Sequence, residues 1–423
     1  MNLKHPVIRN MIPLFILRGA NYIMPLVTMP YLVRVLGPEM FGKIAFAQAF
    51  IQYFVIITDF GFNLSATRSI AMNHQDKNRV SRIFNSVVLI KTMLMVLSLL
   101  AVILIVYLIP KFHADRDIYL LSFLAVIGSV LFPLWFFQGM QEMSYIAKLS
   151  IIAQGVSAAC VFMFVHRPSD YLLVVTLQSG AMILAGLMAI RPVHRILPIQ
   201  FKLPTIAELK ETLEEGWYIF VLAGATQVYA TSNIFILGLM TNPVLVAYFS
   251  IAYKLLNAIA RLMTPLYNAI YPHISMLVSQ SKEKAIHFIG RSLRWVGGAS
   301  LAVTFMVILT AKYLVEILFG MQYLEAIPIV QLLAFNIFLV GLGNMLGMET
   351  MLTFGFNKQY VRIVLGTLVV NLLMMVPLVY WFKMNGAALG TLLTESLVVL
   401  WMVKTLLRNG LNVWSPQKSW FSE

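Results

Sequence analysis

The sequence predicts an all-α polytopic membrane protein. Of its 423 residues, 60% are hydrophobic and 11% are charged, whereas about 25% of residues are charged in a typical soluble domain. The mean hydropathy is +0.83, and the apolar residues form runs close to the ~20 residues that cross a bilayer as a helix. We therefore expect most of the chain to lie in the lipid bilayer.

Twelve apolar runs follow one another along the chain. They cover residues 11–33, 43–66, 84–109, 118–139, 145–165, 170–190, 215–240, 244–270, 292–311, 327–349, 359–381 and 386–407. The first run follows a basic start, as in a signal peptide, but Arg18 and Asn21 interrupt it. We interpret it as a retained first span, because it also continues beyond the length of a signal-peptide core.

The distribution of basic residues predicts the orientation in the membrane. If the N-terminus is cytoplasmic, twenty of the 31 lysines and arginines lie in cytoplasmic segments, seven in external segments and four within spans. Cytoplasmic loops carry the excess of basic residues, so both termini are predicted to be cytoplasmic. The net charge of +14 does not indicate a nucleic-acid partner, because the basic residues sit in short loops and do not cluster on one water-exposed face.

A proline-rich break lies midway in the chain. Residues 191–214 contain three prolines, and Thr205 with Glu208 has the spacing of a helix-capping box. We predict three parts: an N-terminal six-helix bundle at 1–190, a cytoplasmic amphipathic linker at 191–214, and a C-terminal six-helix bundle at 215–423. Cys160 is the single cysteine, so an intrachain disulfide is excluded.

The two predicted bundles carry a weak internal repeat. An alignment of residues 44–59 with residues 246–261 places Gln52 against Lys254 and Asp59 against Arg261. Internal repeats are common in transporters. The pattern therefore fits the internal repeats of a transporter.

Polar residues form a stripe along the predicted eighth span. At 100° per residue they fall close to one meridian of a helix: Ser250, Lys254, Asn257, Arg261, Thr264 and Asn268. An ionisable residue at bilayer depth costs roughly 2.5 to 3.5 kcal/mol on insertion scales, so such residues usually face a cavity or a partner. We expect this stripe to line a hydrated chamber that carries a net positive charge.

Other spans add polar and ionisable residues at similar depth. They are Arg18 and Pro25 in the first span, Gln48, Gln52 and Asp59 in the second, Asn233 in the seventh and Glu395 in the twelfth. Three alternatives remain open: Arg18 extends to the interface, Asp59 and Arg261 form a purely structural pair, or Glu395 bonds to a neighbouring helix. Lys91 lies near the predicted cytoplasmic end of its span, and we expect its side chain to extend to that surface.

The segment from residue 30 to residue 71 resembles a known family. It contains Leu36-Gly37-Pro38-Glu39 followed by Phe41-Gly42, and Asp59-Phe60-Gly61 near the end of the second span. In these features it resembles the O-antigen type polysaccharide-biosynthesis flippases of the multidrug/oligosaccharidyl-lipid/polysaccharide exporter superfamily. The twelve spans and the central basic break extend the likeness over the whole chain.

The resemblance implies two six-helix bundles that form a V around a central cavity and work by alternating access. It implies a bacterial inner-membrane protein whose cargo is an undecaprenyl-pyrophosphate-linked glycan, with polysaccharide polymerase machinery as a further partner. In the related lipid II flippases, arginines of the first and eighth spans line the cavity, and Arg18 and Arg261 occupy comparable places here. No cofactor is implied, and coupling to H⁺, Na⁺ or the membrane potential stays open.

Each candidate residue has a predicted role in binding or transport. Arginine is suited to bidentate contacts with phosphate, so Arg18 and Arg261 are predicted to grip the pyrophosphate with help from Lys254. Amides and aromatic rings suit sugars, and the predicted glycan contacts are Gln48, Gln52, Asn233, Tyr253 and Asn257. Asp59 and Glu395 are candidates for ion coupling or gating, and Pro25 is a candidate hinge.

Two other classes of protein compete with this interpretation. A drug or cation antiporter of the same superfamily would favour carboxylates over cations in its cavity. A membrane polysaccharide polymerase or ligase would need a catalytic external loop, and the one D-x-D pattern, at residues 115–117, lies in a short loop. The sequence shows no phosphate-binding glycine loop and no nucleophile elbow. We expect a transporter that is not an enzyme.

Overall fold

The protein folds as a series of long α-helices. A computed structural model describes the backbone of residues 6–198 and 202–413, and, within them, the side chains of residue 24 and of residues 27 onward except 268 and 269. No strand occurs in these ranges. The helices are α1 Pro6–Asp59, α2 Phe62–Met72, α3 Lys77–Leu108, α4 Pro110–His113, α5 Arg116–Ser122, α6 Leu124–Leu131, α7 Leu134–Gly139, α8 Met143–Phe164, α9 Tyr171–Ile196, α10 Ile206–Met240, α11 Pro243–Arg261, α12 Thr264–Gln280, α13 Lys282–Phe319, α14 Ile327–Leu346 and α15 Asn357–Arg408.

Short turns of other helical types join some of these elements. A 3₁₀ turn at Pro168–Asp170 precedes α9, and another at Met321–Ala326 precedes α14. A π-helical turn, Gly347–Met351, continues α14 at its C-terminal end.

Among the described residues, ten helical segments are long and apolar enough to cross a membrane. Two of the ten segments each contain two helices that meet at a kink. Gly37 has φ 72° and ψ 172° inside α1, and Lys383 has φ 50° and ψ −126° inside α15, so each of these residues divides its helix in two. The architecture is therefore consistent with the predicted twelve spans.

Three predicted spans contain breaks. The second span ends its first helix at Asp59 and resumes at Phe62, the fourth is interrupted between α6 and α7, and the eighth is interrupted between α11 and α12. The apolar runs do not locate these breaks, because hydropathy measures average composition and does not report backbone dihedrals. The break in the eighth span falls where Pro265 enters the first turn of α12, a position that proline tolerates well.

The contacts within the chain divide it into two compact units, Met1–Thr231 and Ser232–Glu423. The division falls inside α10, whereas the boundaries predicted at residues 190 and 215 remain a prediction. In each unit the second span breaks at an equivalent position. Asp59 ends α1 and Arg261 ends α11, which is the pair of residues that the repeat alignment places opposite each other.

The core of the first unit lies where α2, α3, α7, α8 and α9 meet. Its largest buried side chains are Phe62, Trp135, Phe136 and Phe137. Since lipid is as apolar as these side chains, close packing and not exclusion from water stabilises the contacts among the spans. Gly128 permits such packing between α6 and α9, because a Cβ there would lie 2.5 Å from Met182 Cβ.

The predicted capping box begins α10. The backbone N–H of Thr205 donates to Glu208 Oε2 at 2.8 Å, and the backbone N–H of Glu208 lies 3.3 Å from Thr205 Oγ1. Two otherwise unpaired N–H groups are thereby satisfied. The helix then runs without interruption to Met240, so the predicted amphipathic segment is continuous with the seventh span.

Candidate functional site

A cavity of about 220 Å³ with a mainly apolar lining lies within the first unit. Its polar lining comes from Gln52, Asp59, Asn63, Ser129 and Gln227, and its apolar lining comes mainly from Val55, Ile56, Phe132, Leu134, Met182 and Phe220. These side chains belong to α1, α2, α6, α7, α9 and α10 and to the break between α6 and α7. A mixed lining of amides, one carboxylate and aromatic rings suits a small hydroxyl-rich group better than a purely apolar ligand.

The break after α1 places Asp59 at the edge of this cavity. Phe60 and Gly61 both have positive φ values, 44° and 73°, and this left-handed pair ends one helix and starts the next. Glycine is required at position 61 for two reasons. Its φ is positive, and a Cβ there would lie 2.7 Å from the backbone N of Phe220 on α10. The ring of Phe60 stacks on that of Phe220, with centroids 4.7 Å apart.

Asp59 is an ion-paired and hydrogen-bonded carboxylate. Lys91 Nζ lies 3.2 Å from Asp59 Oδ1, and Asn63 Nδ2 lies 2.9 Å from each of the two carboxylate oxygens. Lys91 also donates to the backbone carbonyl of Ser129 at 3.0 Å. Lys91 thereby places a charge of opposite sign beside the carboxylate of Asp59.

The prediction for Lys91 was wrong. Its side chain is 2% exposed and points into the first unit toward Asp59, so it does not extend to the membrane surface. The sequence count placed it near the end of its span. The packing of α6 and of the α1 break around it supplies two acceptors, which offset the cost of burying an ammonium group.

The two predicted glutamines of the second span have different surroundings. Gln52 lines the cavity. Gln48, one turn earlier, donates its Nε2 to Gln178 Oε1 on α9 at 2.8 Å. Gln52 is therefore the better-placed of the two for contact with a ligand.

The second unit presents the predicted cations on one helix. Lys254 and Arg261 are both exposed on α11, seven residues apart and therefore on the same face. The opposite face of α11 is buried, as shown by Phe249, Ile251 and Leu255. Arg261 occupies the last turn, where a cation also interacts favourably with the helix dipole.

Tyr253, Asn257 and Glu395 accompany these cations. Tyr253 lies within electrostatic range of both Glu395 and Arg261, and Asn257 Nδ2 donates to the backbone carbonyl of Tyr253 at 2.8 Å. The side chains of all three are partly exposed. Four of the residues predicted on α11, together with Glu395 of α15, thus form one polar group in the second unit.

Asn233 is placed differently from the other predicted residues. It is 1% exposed, and its Nδ2 donates to Thr391 Oγ1 at 2.8 Å. This hydrogen bond joins α10 to α15 inside the second unit. We therefore do not include Asn233 in the proposed binding set.

Two predicted residues lie outside the described side chains. Arg18 and Pro25 fall within the backbone of α1, but their side chains are not among those described. Their predicted roles as a pyrophosphate ligand and as a hinge stay predictions.

Gln227 and Glu349 were not among the site residues predicted from the sequence. Gln227 lines the cavity of the first unit, and Glu349 is buried in the π-helical turn of the second. Glu349 had a recognisable signal, since it is a lone acidic residue near the end of the tenth apolar run. Gln227 had none, because an uncharged amide at a helix face is common in any membrane protein.

The D-x-D pattern has structural partners of its own. Lys43 Nζ lies 2.7 Å from Asp115 Oδ1, and Arg116 lies 3.7 Å from Asp117. The described residues contain no group of three or more His, Cys, Asp or Glu side chains that could hold a metal ion. Asp115 thus serves as a counter-ion for Lys43.

Similar proteins of known fold include a lipid II flippase in an inward closed conformation. That structure has a TM-score of 0.75 at 12% sequence identity, and the match covers 96% of this chain and 90% of the flippase. An inward-facing multidrug transporter of the same superfamily has a TM-score of 0.69 at 13% identity and covers 94% of this chain and 96% of its own. At these identities the likeness shows the fold.

Sequence comparison gives the family. This chain is 33% identical over 405 residues to an Escherichia coli K12 protein with the provisional name O-antigen transporter, covering 96% of this chain and 98% of that one. A Shigella dysenteriae protein with the same provisional name is 28% identical over 404 residues, covering 94% and 99%. The profile of the family described as "Polysaccharide biosynthesis protein" matches residues 7–278. The chain is therefore a multi-pass membrane protein that belongs to the polysaccharide biosynthesis protein family.

Proposed function

We propose that this protein is a flippase that carries an undecaprenyl-pyrophosphate-linked oligosaccharide, such as an O-antigen repeat unit, from the cytoplasmic to the periplasmic leaflet. It works by alternating access in the bacterial inner membrane, with both termini cytoplasmic, and delivers its cargo to a polysaccharide polymerase. The names of its relatives support a lipid-linked glycan as cargo.

The observation that carries this proposal is the pair of exposed cations on α11. Lys254 and Arg261 share one face of an otherwise apolar helix, and a cation that faced hydrocarbon would cost roughly 2.5 to 3.5 kcal/mol on insertion scales. Both side chains therefore face water. A diphosphate group carries the complementary charge and hydrogen-bond acceptors.

The carboxylates of the spans favour an anionic cargo over a cationic one. Asp59 is already neutralised by Lys91, so it offers a cationic drug no free charge. Glu395 is accompanied in the same unit by two cations of α11, Lys254 and Arg261, and both Glu395 and Arg261 lie within electrostatic range of Tyr253. A drug or cation antiporter would need an excess of carboxylates at this place, and the balance has the opposite sign.

The cavity of the first unit supports contact with the sugars. Gln52 and Gln227 offer hydrogen-bond donors and acceptors, and Phe132 and Phe220 offer apolar rings. The pyrophosphate, bound to Arg18, Arg261 and Lys254, adds electrical driving force. Moving each negative charge out of a negative cytoplasm gains about 2.3 kcal/mol per 100 mV.

The test uses a strain that lacks its own flippase for the same glycan. The double variant Arg18→Ala/Arg261→Ala should abolish surface polysaccharide while membrane immunoblots show normal protein levels. The corresponding lysine double variant should restore only part of the output, because lysine keeps the charge but loses the bidentate geometry. Arg294→Ala, which removes an exposed arginine of α13, is the matched control and should leave export unchanged.

Normal polysaccharide output from the double alanine variant would contradict the assignment of the two arginines. Efflux of cationic dyes by the wild-type protein, without any rescue of surface polysaccharide, would contradict the flippase and favour the antiporter.

A further inference from the structure

Glu349 is an acidic side chain buried inside the second unit. It is 5% exposed, and its Oε2 has no hydrogen-bond partner among the residues whose side chains the structure describes. It forms no ion pair with any of those residues. An ionised carboxylate in this position would lose its hydration without gaining a counter-charge, which costs several kcal/mol. Burial of this kind favours the neutral acid over the carboxylate.

The two carboxylates for which the sequence predicted ion coupling have different surroundings. Asp59 has Lys91 at 3.2 Å and two hydrogen bonds from Asn63. Glu395 is partly exposed and lies within electrostatic range of Tyr253 and Tyr360. Of these three side chains, Glu349 is the one whose environment favours a bound proton. It is therefore a better candidate for ion coupling than Asp59 or Glu395.

The backbone around Glu349 is irregular. The π turn Gly347–Met351 closes with the N–H of Leu352 donating to the carbonyl of Gly347 at 3.2 Å. Thr350 Oγ1 donates to the carbonyl of Met345, and Thr353 Oγ1 donates to that of Glu349 itself, both at 2.7 Å. The two hydroxyl groups thus stabilise the turn, and neither of these bonds is made to the carboxyl group. Single π turns inside α-helices occur frequently at functional sites.

The neighbouring ionisable groups carry no charge near neutral pH. The turn packs against α12, α14 and α15. Tyr267 of α12 lies within electrostatic range of Glu349, and the ring of Tyr360 on α15 lies 2.8 Å from the place where a Cβ on Gly347 would be. A tyrosine is neutral near pH 7 and becomes an anion only at high pH, so neither ring supplies a positive charge that would balance a carboxylate. The apolar side chains of Met345, Leu346 and Met351 belong to the buried core of the same region.

A metal cation fits this place poorly. A hard cation such as Ca²⁺ takes about six to eight oxygen ligands, but Glu349 is one carboxyl group and both neighbouring threonine hydroxyls donate to backbone carbonyls. A proton, in contrast, needs a single oxygen atom to bind, and the carboxyl group of Glu349 supplies it.

We propose that Glu349 is the proton-binding site that couples proton movement to transport. A proton from water forms the O–H bond of the carboxylic acid in the conformation described here. That bond breaks, and the proton returns to water, when rearrangement of the π turn exposes the side chain. The coupling to glycan rests on the proposed function, whereas the binding of the proton does not.

The first experiment measures the proton directly. Infrared spectra of the purified full-length protein in lipid nanodiscs are recorded across a pH series for the wild type, Glu349→Gln and Glu325→Gln. Glutamine has the shape of the neutral acid, so the first variant should fold. Glu325 is an exposed glutamate of the same unit and gives the matched control. The carboxylic-acid band that titrates in the wild type should vanish in Glu349→Gln and persist in Glu325→Gln, and its persistence in Glu349→Gln would overturn the proposal.

The second experiment measures coupling. Proteoliposomes containing a fluorescent lipid-linked oligosaccharide receive a pH gradient at zero voltage. For one proton per glycan, a gradient of one pH unit should shift the distribution of wild-type cargo between leaflets about tenfold, and Glu349→Gln should lose this response while Glu325→Gln keeps it.

An unchanged response in Glu349→Gln, or a sodium gradient that replaces the pH gradient, would overturn the coupling role. If the wild type moves no glycan while the infrared result holds, the proposed function fails and the proton site stands.

Discussion

Lys91 Nζ lies 3.2 Å from Asp59 Oδ1 in the interior of the first unit, although 32 positions separate the two residues. This pair joins α3 to the place where the second span breaks. Asn63 also donates to Asp59, and Lys91 also donates to the carbonyl of Ser129. The pair therefore fixes the backbone at the edge of the cavity that Gln52 lines.

Removal of one partner should destabilise the protein more than removal of both. Breaking a buried ion pair typically costs about 3 to 5 kcal/mol, because the remaining charge is left without a partner. Asp59→Asn should be worse than Lys91→Met, since Lys91 is 2% exposed whereas the side chain of Asp59 is 24% exposed and keeps Asn63. The double variant should recover part of the loss, as measured by thermal unfolding in detergent. Strictly additive effects would show that the pair has no coupling energy.

Gly61→Ala should disrupt the contact between the α1 break and α10. A left-handed backbone costs about 1–2 kcal/mol for a residue with a Cβ, and at Gly61 that Cβ would also lie 2.7 Å from the backbone N of Phe220. Gly355→Ala is the control, because Gly355 has φ +81° and no atom within 4 Å of the added Cβ. The thermal unfolding temperature and the export of polysaccharide should fall much further in Gly61→Ala. Equal losses in the two variants would mean that strain alone, and not close packing on α10, accounts for the effect.

Charged contacts hold the start of α10 on the first unit. Arg79 pairs with Glu211, Arg82 lies 3.9 Å from Glu208, and Ser69 Oγ donates to Glu215 Oε2 at 2.7 Å. Arg79→Glu and Glu211→Arg should each speed trypsin cleavage in the linker between α9 and α10, because each places like charges together. The double reversal should restore resistance. An exposed pair contributes only about 0.2 to 1 kcal/mol, so global stability should change little.

The control for this prediction is Lys210→Glu. Lys210 lies next to Glu211 in sequence but its recorded contact is with Glu214 of the same helix. This variant should leave the cleavage rate in the linker unchanged, although it removes a separate trypsin site at residue 210 inside α10. Faster cleavage throughout the linker in this variant would show that net charge, and not the contact with α3, holds the helix.

Much of the fold follows from local sequence patterns. Apolar runs of spanning length predicted the helices, and the Thr205–Glu208 spacing predicted the cap that begins α10. These features depend on residues a few positions apart, which a sequence displays directly. The repeat alignment paired Asp59 with Arg261 but did not show that a helix ends at each of them. Left-handed dihedrals and helix ends depend on the neighbouring helices that pack against the segment.

The candidate site divides in the same way. The sequence by itself determined that Lys254 and Arg261 share a helix face and that Asp59 is an ionisable group within a span, because helical periodicity and hydropathy fix both. Only the tertiary structure decided that Lys91 neutralises Asp59 and that Asn233 is a buried contact with Thr391. It also decided that Glu349 is buried with no hydrogen bond to its Oε2 from the side chains that the structure describes. The protonation and exposure of a side chain depend on neighbours brought from distant parts of the chain, and those neighbours exist only after the helices have packed.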